Sequence, residues 1–392
     1  MRLTRLQLED FRSYASAELR PEPGLTIVAG PNGAGKTNLL EAIFVTVTGR
    51  SHRAGSDGEM VRHGRPFARV RLDLADPSAG ETAKVELLLP AEDAPAELRK
   101  RVTVNGLARR ATSVSDTVRV VLFRPEEMLL LIGAPSERRR FLDAILAQRH
   151  RAAARDLAEL ARVLAQRNAL LRAIRREEAT AETLALWDEQ LALVGARVTA
   201  ARLQLVSELA TRIPALHDAV APAMERGDQV RLAYVDTLKD AWPDRPTVPA
   251  AAPTHEALEE AYRRRIWQVR DKEMWNGVSL VGPHRDDLRV ELAGREVAAH
   301  ASRGQQRTII LALKLAETDL LGADGSRTPI VLLDDVFSEL DAHRAKRSLA
   351  LLLERGQVLV TMAELASLPA GHRGVTVWQV GDGRLARRPR VA

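Results

Sequence analysis

Gly30, Pro31, Asn32, Gly33, Ala34, Gly35, Lys36 and Thr37 spell GPNGAGKT. The run satisfies G-x-x-x-x-G-K-[ST] at every fixed position. It follows an apolar stretch, GLTIVAG, and precedes NLLEAIFVTVTG, which places Leu39, Leu40, Ile43 and Phe44 along one side of a helix. That strand, loop and helix order is the context a phosphate-binding loop requires. Its glycines let a tight loop turn backbone N–H groups onto phosphate oxygens. The helix N-terminus adds positive potential. Lys36 is placed to reach β and γ phosphates, and Thr37 to hold Mg²⁺.

A second motif, PIVLLDDVFSELD, complements the first. Ile330 to Leu333 are apolar and run into Asp334 and Asp335. Carboxylates at the C-terminal end of a buried strand face the ligand crevice of an α/β sheet. Asp334 is the expected Mg²⁺ partner, through water. Asp335 is the expected group that polarises an attacking water, so Asp335 and Lys36 are the catalytic candidates. About three-quarters of the chain separates Lys36 from Asp334, far more than a simple kinase or GTPase core needs.

A third segment, ASRGQQR (Ala301–Arg307), opens the apolar helical run TIILALKLAETDLL. It has no base or metal ligands of its own. Ser302 can cap the helix. The same helix start, with free N–H groups and a hydroxyl, also suits an anion.

The rest of the sequence must position these groups. Leu3, Leu6 and Leu8 mark an opening strand, so the N-terminus does not read as a signal peptide. FARVRLDL, AKVELLL, RVTVNG and VRVVLF follow as short strands between turn residues. From about Ser136 the composition turns to Ala, Leu, Arg and Glu. Leu157, Leu160, Leu164, Leu171 and Ile174 keep steps of three and four, with Arg167 in the one missing place. After RREEATAET, a second series runs through Leu184, Trp187, Leu191, Val194, Val198, Ala201 and Leu205. The two series predict an antiparallel helical hairpin, each helix about 20 residues or roughly 30 Å long, with an ordinary helix pair in a bundle as the other reading. YVDTLKDAWPDRPTVPAAAPTHEA reads as loop. A charged helix follows, and the chain then returns to α/β character. The expected organisation is residues 1–135 and 276–392 as two parts of one α/β domain, split by a helical insert at 136–275.

Absence of cysteine excludes disulfides and thiolate metal sites and fits a reducing cytosol. No apolar run approaches the ~20 residues that span a bilayer. A soluble, cytoplasmic protein is expected. Its net charge of +6 permits an anionic partner without demanding one.

The order of these motifs resembles the ABC-type ATPases of chromosome maintenance, and within them the RecF family of bacterial recombination mediators. LEDFRSY, VLFRPEEMLLLIGAPSERRRFLD, VGPHRDDL, SRGQQR and LLDDVFSELD carry the resemblance over nearly the whole chain. It implies an α/β fold: an ABC-type P-loop ATPase head of two lobes with an inserted helical hairpin arm, binding ATP and Mg²⁺. SRGQQ takes the place of the family signature, with Ser302, Gly304 and Gln305 at matching positions and Arg303 replacing a glycine. The resemblance further implies that this signature caps an ATP held by another subunit, in a head-to-tail homodimer. Asp341 of SELD lies at the same expected interface. Arg12 and Ser13 match a loop that approaches the nucleotide. The usual Q-loop glutamine is not evident, with Glu126 or Glu127 in its region. The usual switch histidine is missing, and VLVTMAEL offers only Thr361.

As function, the resemblance implies DNA binding in replication and recombinational repair, at gaps and single-strand/double-strand junctions. It implies weak, DNA-stimulated hydrolysis, help with RecA loading alongside RecO and RecR, and a part in SOS induction. An ABC transporter ATPase subunit is the alternative. The helical hairpin, DFRSY, SRGQQ and Asp335 in place of the transporters' glutamate argue against it. Local arginine clusters (138–140, 149 and 151, 175 and 176, 263–265) suit phosphate oxygens, although most such clusters are only solvated helix faces. With no helix-turn-helix, zinc motif or aromatic platform, backbone contacts with little base readout are expected. In GPHRDDL, Gly282-Pro283 favours a turn held by an Asp–Arg pair over a metal or acid–base set formed by His284 to Asp287.

Overall fold

The chain begins with two antiparallel strands, β1 (Arg2–Phe11) and β2 (Tyr14–Leu19), joined through Arg12 and Ser13. In the computed structural model the described residues are 1–239, 253–323, 328–365, 368, 375–381 and 383–388. The buried β3 (Leu25–Ala29) leads through the glycine-rich loop into α1 (Lys36–Thr48). Next come β4 (Phe67–Asp76), β5 (Glu81–Pro90), β6 (Arg101–Val104), β7 (Leu107–Arg109) and β8 (Val120–Phe123). The helical region holds α2 (Leu129–Ile132), α3 (Pro135–Arg149), α4 (Arg151–Arg175) and α5 (Ala185–Val220). It continues with β9 (Val230–Val235), α6 (His255–Asn276), β10 (Asp287–Leu292), β11 (Arg295–Glu296) and α7 (Val297–His300). The chain closes with α8 (Arg303–Gly322), β12 (Ile330–Asp334), α9 (Ala342–Arg355), β13 (Val358–Met362), β14 (Thr376–Gly381) and β15 (Arg384–Arg387).

Two compact units result. The first contains residues 1–127, 218–224 and 311–392, and the second 128–217 and 225–310. Residues 276–310 thus pack within the second unit, and the sequence segment 276–392 is shared between the two.

The first unit holds two sheets. One is antiparallel, in the order β2-β1-β4-β5-β6-β7. Its inward residues alternate along β4 and β5, as one-face burial demands. In β1 the buried set is Leu3, Leu6, Leu8 and Phe11, and a register shift between Leu3 and Arg5 accounts for the first step of three. The second sheet runs β15-β14-β3-β13-β12-β8, with neighbours parallel apart from the β14–β15 pair. Every residue of β3, β8, β12 and β13 is buried. Such strands, covered on both faces, read as unbroken apolar runs. Leu39, Leu40 and Ile43 of α1 share one core with Val28 and Leu332. The strand order puts β13 between β3 and β12, so the exits of all three lie side by side.

In the second unit α4, α5 and α6 bury one cluster, including Leu160, Val163, Leu191, Val194, Val198, Tyr262 and Ile266. Arg197 pairs with Asp156 and Glu159, whereas Arg167 pairs with Asp188. Those numbers run in opposite senses, so α4 and α5 are antiparallel. The hairpin is therefore packed against a third helix. The second helix is also longer than its heptad series suggests, continuing past Leu205 and through Pro214 to Val220. The first two residues of the expected loop, Tyr234 and Val235, end a strand. Val230 to Val235 alternates buried and less buried residues and pairs antiparallel with β10, Tyr234 opposite Leu288. Most of the proline-rich stretch, residues 240–252, lies outside the described residues.

Arg167, which interrupts the heptad series, is fully buried. Its guanidinium donates to Asp188 at 2.9 Å, to Glu273 at 2.6 Å and to Ser279 Oγ at 2.8 Å. Glu273 is equally buried, so removing the arginine strands a charge in the core. Arg167→Leu is expected to cost about 3–5 kcal/mol in chemical denaturation. Arg167→Leu/Glu273→Leu is expected to recover most of it. A single variant as stable as the parent contradicts this assignment.

Candidate nucleotide site

The glycine-rich loop is built by backbone that other residues could not adopt. Gly35 has φ 105°, and a Cβ there would stand 2.8 Å from Ser13 Oγ and 2.9 Å from Tyr14 Oη. At Gly30 a Cβ would meet the Val380 carbonyl oxygen at 2.3 Å. Lys36 is the first residue of α1. Its ammonium donates to the carbonyls of Gly30 at 2.8 Å and Pro31 at 3.0 Å and comes within 3.5 Å of Asn32 Oδ1. The lysine thus folds back over Gly30–Gly35 with its charge on the loop's inner side. Burial lowers its pKa, against the opposing pull of Asp335 and Asp334.

Thr37 Oγ1 donates to Asp334 Oδ1 at 2.9 Å, joining groups 297 residues apart in sequence. Asp334 ends β12, where it is opposite Thr361 of β13. Thr361 Oγ1 donates to the same carboxylate oxygen at 2.6 Å. Asp335 follows with φ 51°, a left-handed conformation uncommon for residues other than glycine. Burial raises its carboxyl pKa, with Lys36 pulling the other way. Lys36, Thr37, Asp334 and Asp335 therefore converge.

These residues fit a nucleoside triphosphate with Mg²⁺. A hydroxyl and a carboxylate supply hard oxygen donors, and Mg²⁺ characteristically takes only one or two such protein ligands beside phosphate and water. The loop presents the amides and the ammonium that phosphate requires.

Of the two DFRSY residues, only Ser13 approaches the loop directly, accepting from Asn38 Nδ2 at 3.0 Å beside Gly35. The Arg12 guanidinium is held by Glu41 through two bonds of 2.9 and 2.8 Å and donates to the Glu59 carbonyl. Burial alone would raise the Glu41 pKa, but Arg12, Ser51 and Arg53 hold it below the usual value. Sequence reasoning did not single out Tyr14. Its buried hydroxyl, pushed up in pKa, donates to the Gly35 carbonyl at 3.1 Å and props the loop from below. Glu126 is exposed, whereas Glu127 accepts from Arg124 at 3.2 Å and lies 3.9 Å from Lys314.

Ser302 caps α8 in a reciprocal box. Its hydroxyl accepts from the Gln305 amide at 3.2 Å, and its own amide donates to Gln305 Oε1 at 2.9 Å. Ser302 and Arg303 are exposed, and Gly304 is half-buried. Asp341 caps α9, accepting from the Arg344 amide at 2.9 Å and pairing with its guanidinium at 2.5 Å. It too is exposed.

The other sequence candidates are largely engaged within the fold. Arg138 grips Asp287 through bonds of 2.6 and 2.9 Å, Arg139 donates to the Asp286 carbonyl, and Arg140 pairs with Glu137. Arg149 pairs with Glu208, Arg263 with Glu189, and Arg264 with Glu260. Arg175 is exposed and forms no ion pair among the described residues. GPHRDDL does form a turn, Arg285 N–H to Gly282 carbonyl at 2.9 Å. Its aspartates find other partners than Arg285: Asp287 takes Arg138, while buried Asp286 accepts from Tyr234 Oη at 2.7 Å and the Thr237 amide at 3.1 Å. Burial pushes the Asp286 carboxyl up to about 7 and His284 down to about 4. This is a buried polar junction with the character of fold architecture.

Comparison with known proteins agrees with the geometry. Residues 2–384 match the family described as RecF/RecN/SMC N terminal domain. A DNA replication and repair protein RecF of Kineococcus radiotolerans is 40% identical over 383 residues, covering 95% of this chain and 96% of that one. Its counterpart in Frankia alni is 39% identical over 392 residues, covering 99% and 100%. Among solved structures, the recombination mediator protein RecF with ATPγS superposes with a TM-score of 0.87, 26% identity and 98% of both chains covered. An SMC head bound to the C-winged helix domain of ScpA shares the fold, at a TM-score of 0.55 and 15% identity. Carrying the phosphate loop, the paired aspartates and the exposed SRGQQ helix start of that architecture, the chain belongs to the RecF family of the RecF/RecN/SMC ATPases.

Proposed function

We propose that this protein is an ATP-dependent DNA-binding switch of DNA replication and recombinational repair. The observation that supports the reading is the 2.9 Å bond between Thr37 and Asp334 beside the Gly30–Gly35 loop, which joins residues 297 apart in the sequence. Bound MgATP supplies a γ-phosphate carrying concentrated negative charge. Lys36 and the loop amides bind that charge, Thr37 and Asp334 offer oxygen donors, and Asp335 orients and polarises water. The exposed start of α8 at Ser302–Gln305, with Asp341, closes the site of a second copy. ATP then joins two chains head to tail, and hydrolysis removes the bridging ligand.

The paired chains clamp DNA through its backbone, with gaps and single-strand/double-strand junctions as substrates. RecO and RecR are the expected partners, in the cytoplasm, toward RecA loading and SOS induction. The solved relatives support the nucleotide and the pathway: their descriptions name ATP and the RecFOR pathway. No helix among the described residues is long and apolar enough to cross a membrane. The match over residues 2–384 to the RecF/RecN/SMC family is what disfavours a transporter subunit. Molar mass by light scattering tests the reading. A monomer is expected without nucleotide and with ADP, and a dimer with ATP and Mg²⁺. A mass unaffected by ATP would remove the switch from the proposal.

A further inference from the structure

Thr361 stands where the resemblance leaves a switch histidine missing, and its position gives it a different task. It is fully buried in β13, in register with Asp334. One hydroxyl serves both acids. It donates to Asp334 Oδ1 at 2.6 Å and accepts from the Asp335 amide at 3.1 Å. The Asp335 amide also faces the Thr361 carbonyl at 3.2 Å. The alternative acceptor for the hydroxyl proton, the Leu333 carbonyl, is at 3.4 Å, so the carboxylate is the shorter contact.

We infer that Thr361 is the positioning residue of the magnesium-nucleotide site, fixing both aspartates from behind. The proton it gives to Asp334 Oδ1 complements the one from Thr37 on the same oxygen. Two donors on one oxygen settle the carboxylate's rotation and leave Oδ2 unconstrained by either hydroxyl. The bond accepted from the Asp335 amide acts on backbone. Asp335 sits at φ 51°, a conformation that persists only where surroundings enforce it. Side chain and carbonyl of Thr361 together enforce it and so aim the Asp335 carboxyl. Partners that orient metal ligands in this way are typically worth about 10- to 100-fold in metal affinity.

The inference rests on the magnesium-nucleotide reading but not on dimerisation. Its test is magnesium titration of the binding of a fluorescent ATP analogue, with hydrolysis and thermal melting measured in parallel. Thr361→Val keeps the branched shape and loses the hydroxyl. It is expected to raise the half-saturating Mg²⁺ concentration about tenfold or more and to lower kcat more than it raises KM for ATP. Nucleotide affinity in EDTA should stay within about twofold, since Lys36 and the loop amides are untouched. Thr361→Ser restores the hydroxyl and is expected to restore the magnesium response. A Val variant with the parental magnesium curve overturns the inference, even if its melting temperature falls, because a packing role would move only the melt. If wild-type protein binds the analogue with magnesium yet shows no ATP-dependent mass change, the switch fails while this inference stands.

Discussion

Lys36→Met is expected to weaken ATP binding sharply while leaving the fold intact. The ammonium makes charge-assisted bonds to phosphate, and losing one costs about 1.5–3 kcal/mol, roughly 10- to 150-fold in affinity. Dimerisation and hydrolysis, both downstream of binding, should fall with it. Stability should respond differently. Lys36 is buried enough that desolvation lowers its pKa, so the free protein bears a cost for keeping the charge there. Asp335 and Asp334 offset part of it, and the carbonyls of Gly30 and Pro31 accept its protons. Methionine fills similar volume without a charge to desolvate. The melting temperature without nucleotide should therefore shift by only a few degrees in either direction, while stabilisation by MgATP at a fixed concentration falls. Analogue titration and melting curves on the same samples decide the matter. A variant that binds ATP like the parent would place the nucleotide elsewhere.

The parts of the candidate nucleotide site are legible in the sequence because each has a local signature. The phosphate loop needs glycines at fixed places, and the buried parallel strands read as unbroken apolar runs into Asp334. Their meeting was not local. The central position of β13, between β3 and β12, brings Thr361 to Asp334, and no spacing in the sequence announces a strand inserted between two others. Thr361 was visible only as the residue in a place where a histidine was expected. Arg12 illustrates the opposite limit. Its motif placed it near the nucleotide, yet Glu41, an interior residue of α1, takes both faces of its fork. The heptads of α4 and α5 predict the antiparallel pair, but nothing in their spacing names the partner that α6 supplies through Leu258, Tyr262, Ile266 and Val269. The strand β9 was obscured by the proline-rich stretch beside it. Ion pairing of an arginine to a carboxylate distant in sequence, such as Arg138 to Asp287, is invisible in one dimension.

Ser302→Arg is expected to eliminate the ATP-dependent dimer, and the difficulty lies in separating that loss from a weakened helix. Ser302 already has a structural task, since its hydroxyl caps α8 and Gln305 returns the bond. Removing such a cap costs about 1 kcal/mol. Arginine would therefore reduce stability slightly whether or not Ser302 ever meets a phosphate. Ser302→Asp resolves the two roles. Aspartate is as good a cap as serine, so α8 should remain as stable as in the parent. It would, however, set a carboxylate against the γ-phosphate of the opposing chain, and like charges brought together cost several kcal/mol. If the helix start closes a second copy's site, Ser302→Asp should melt like wild type, bind the ATP analogue as a monomer, and show dimerisation weakened by about 100-fold or more in light scattering. Ser302→Ala, which loses the cap without adding charge, should dimerise detectably. A Ser302→Asp protein that dimerises normally with ATP would reduce SRGQQ to a capping box and end its part in the switch.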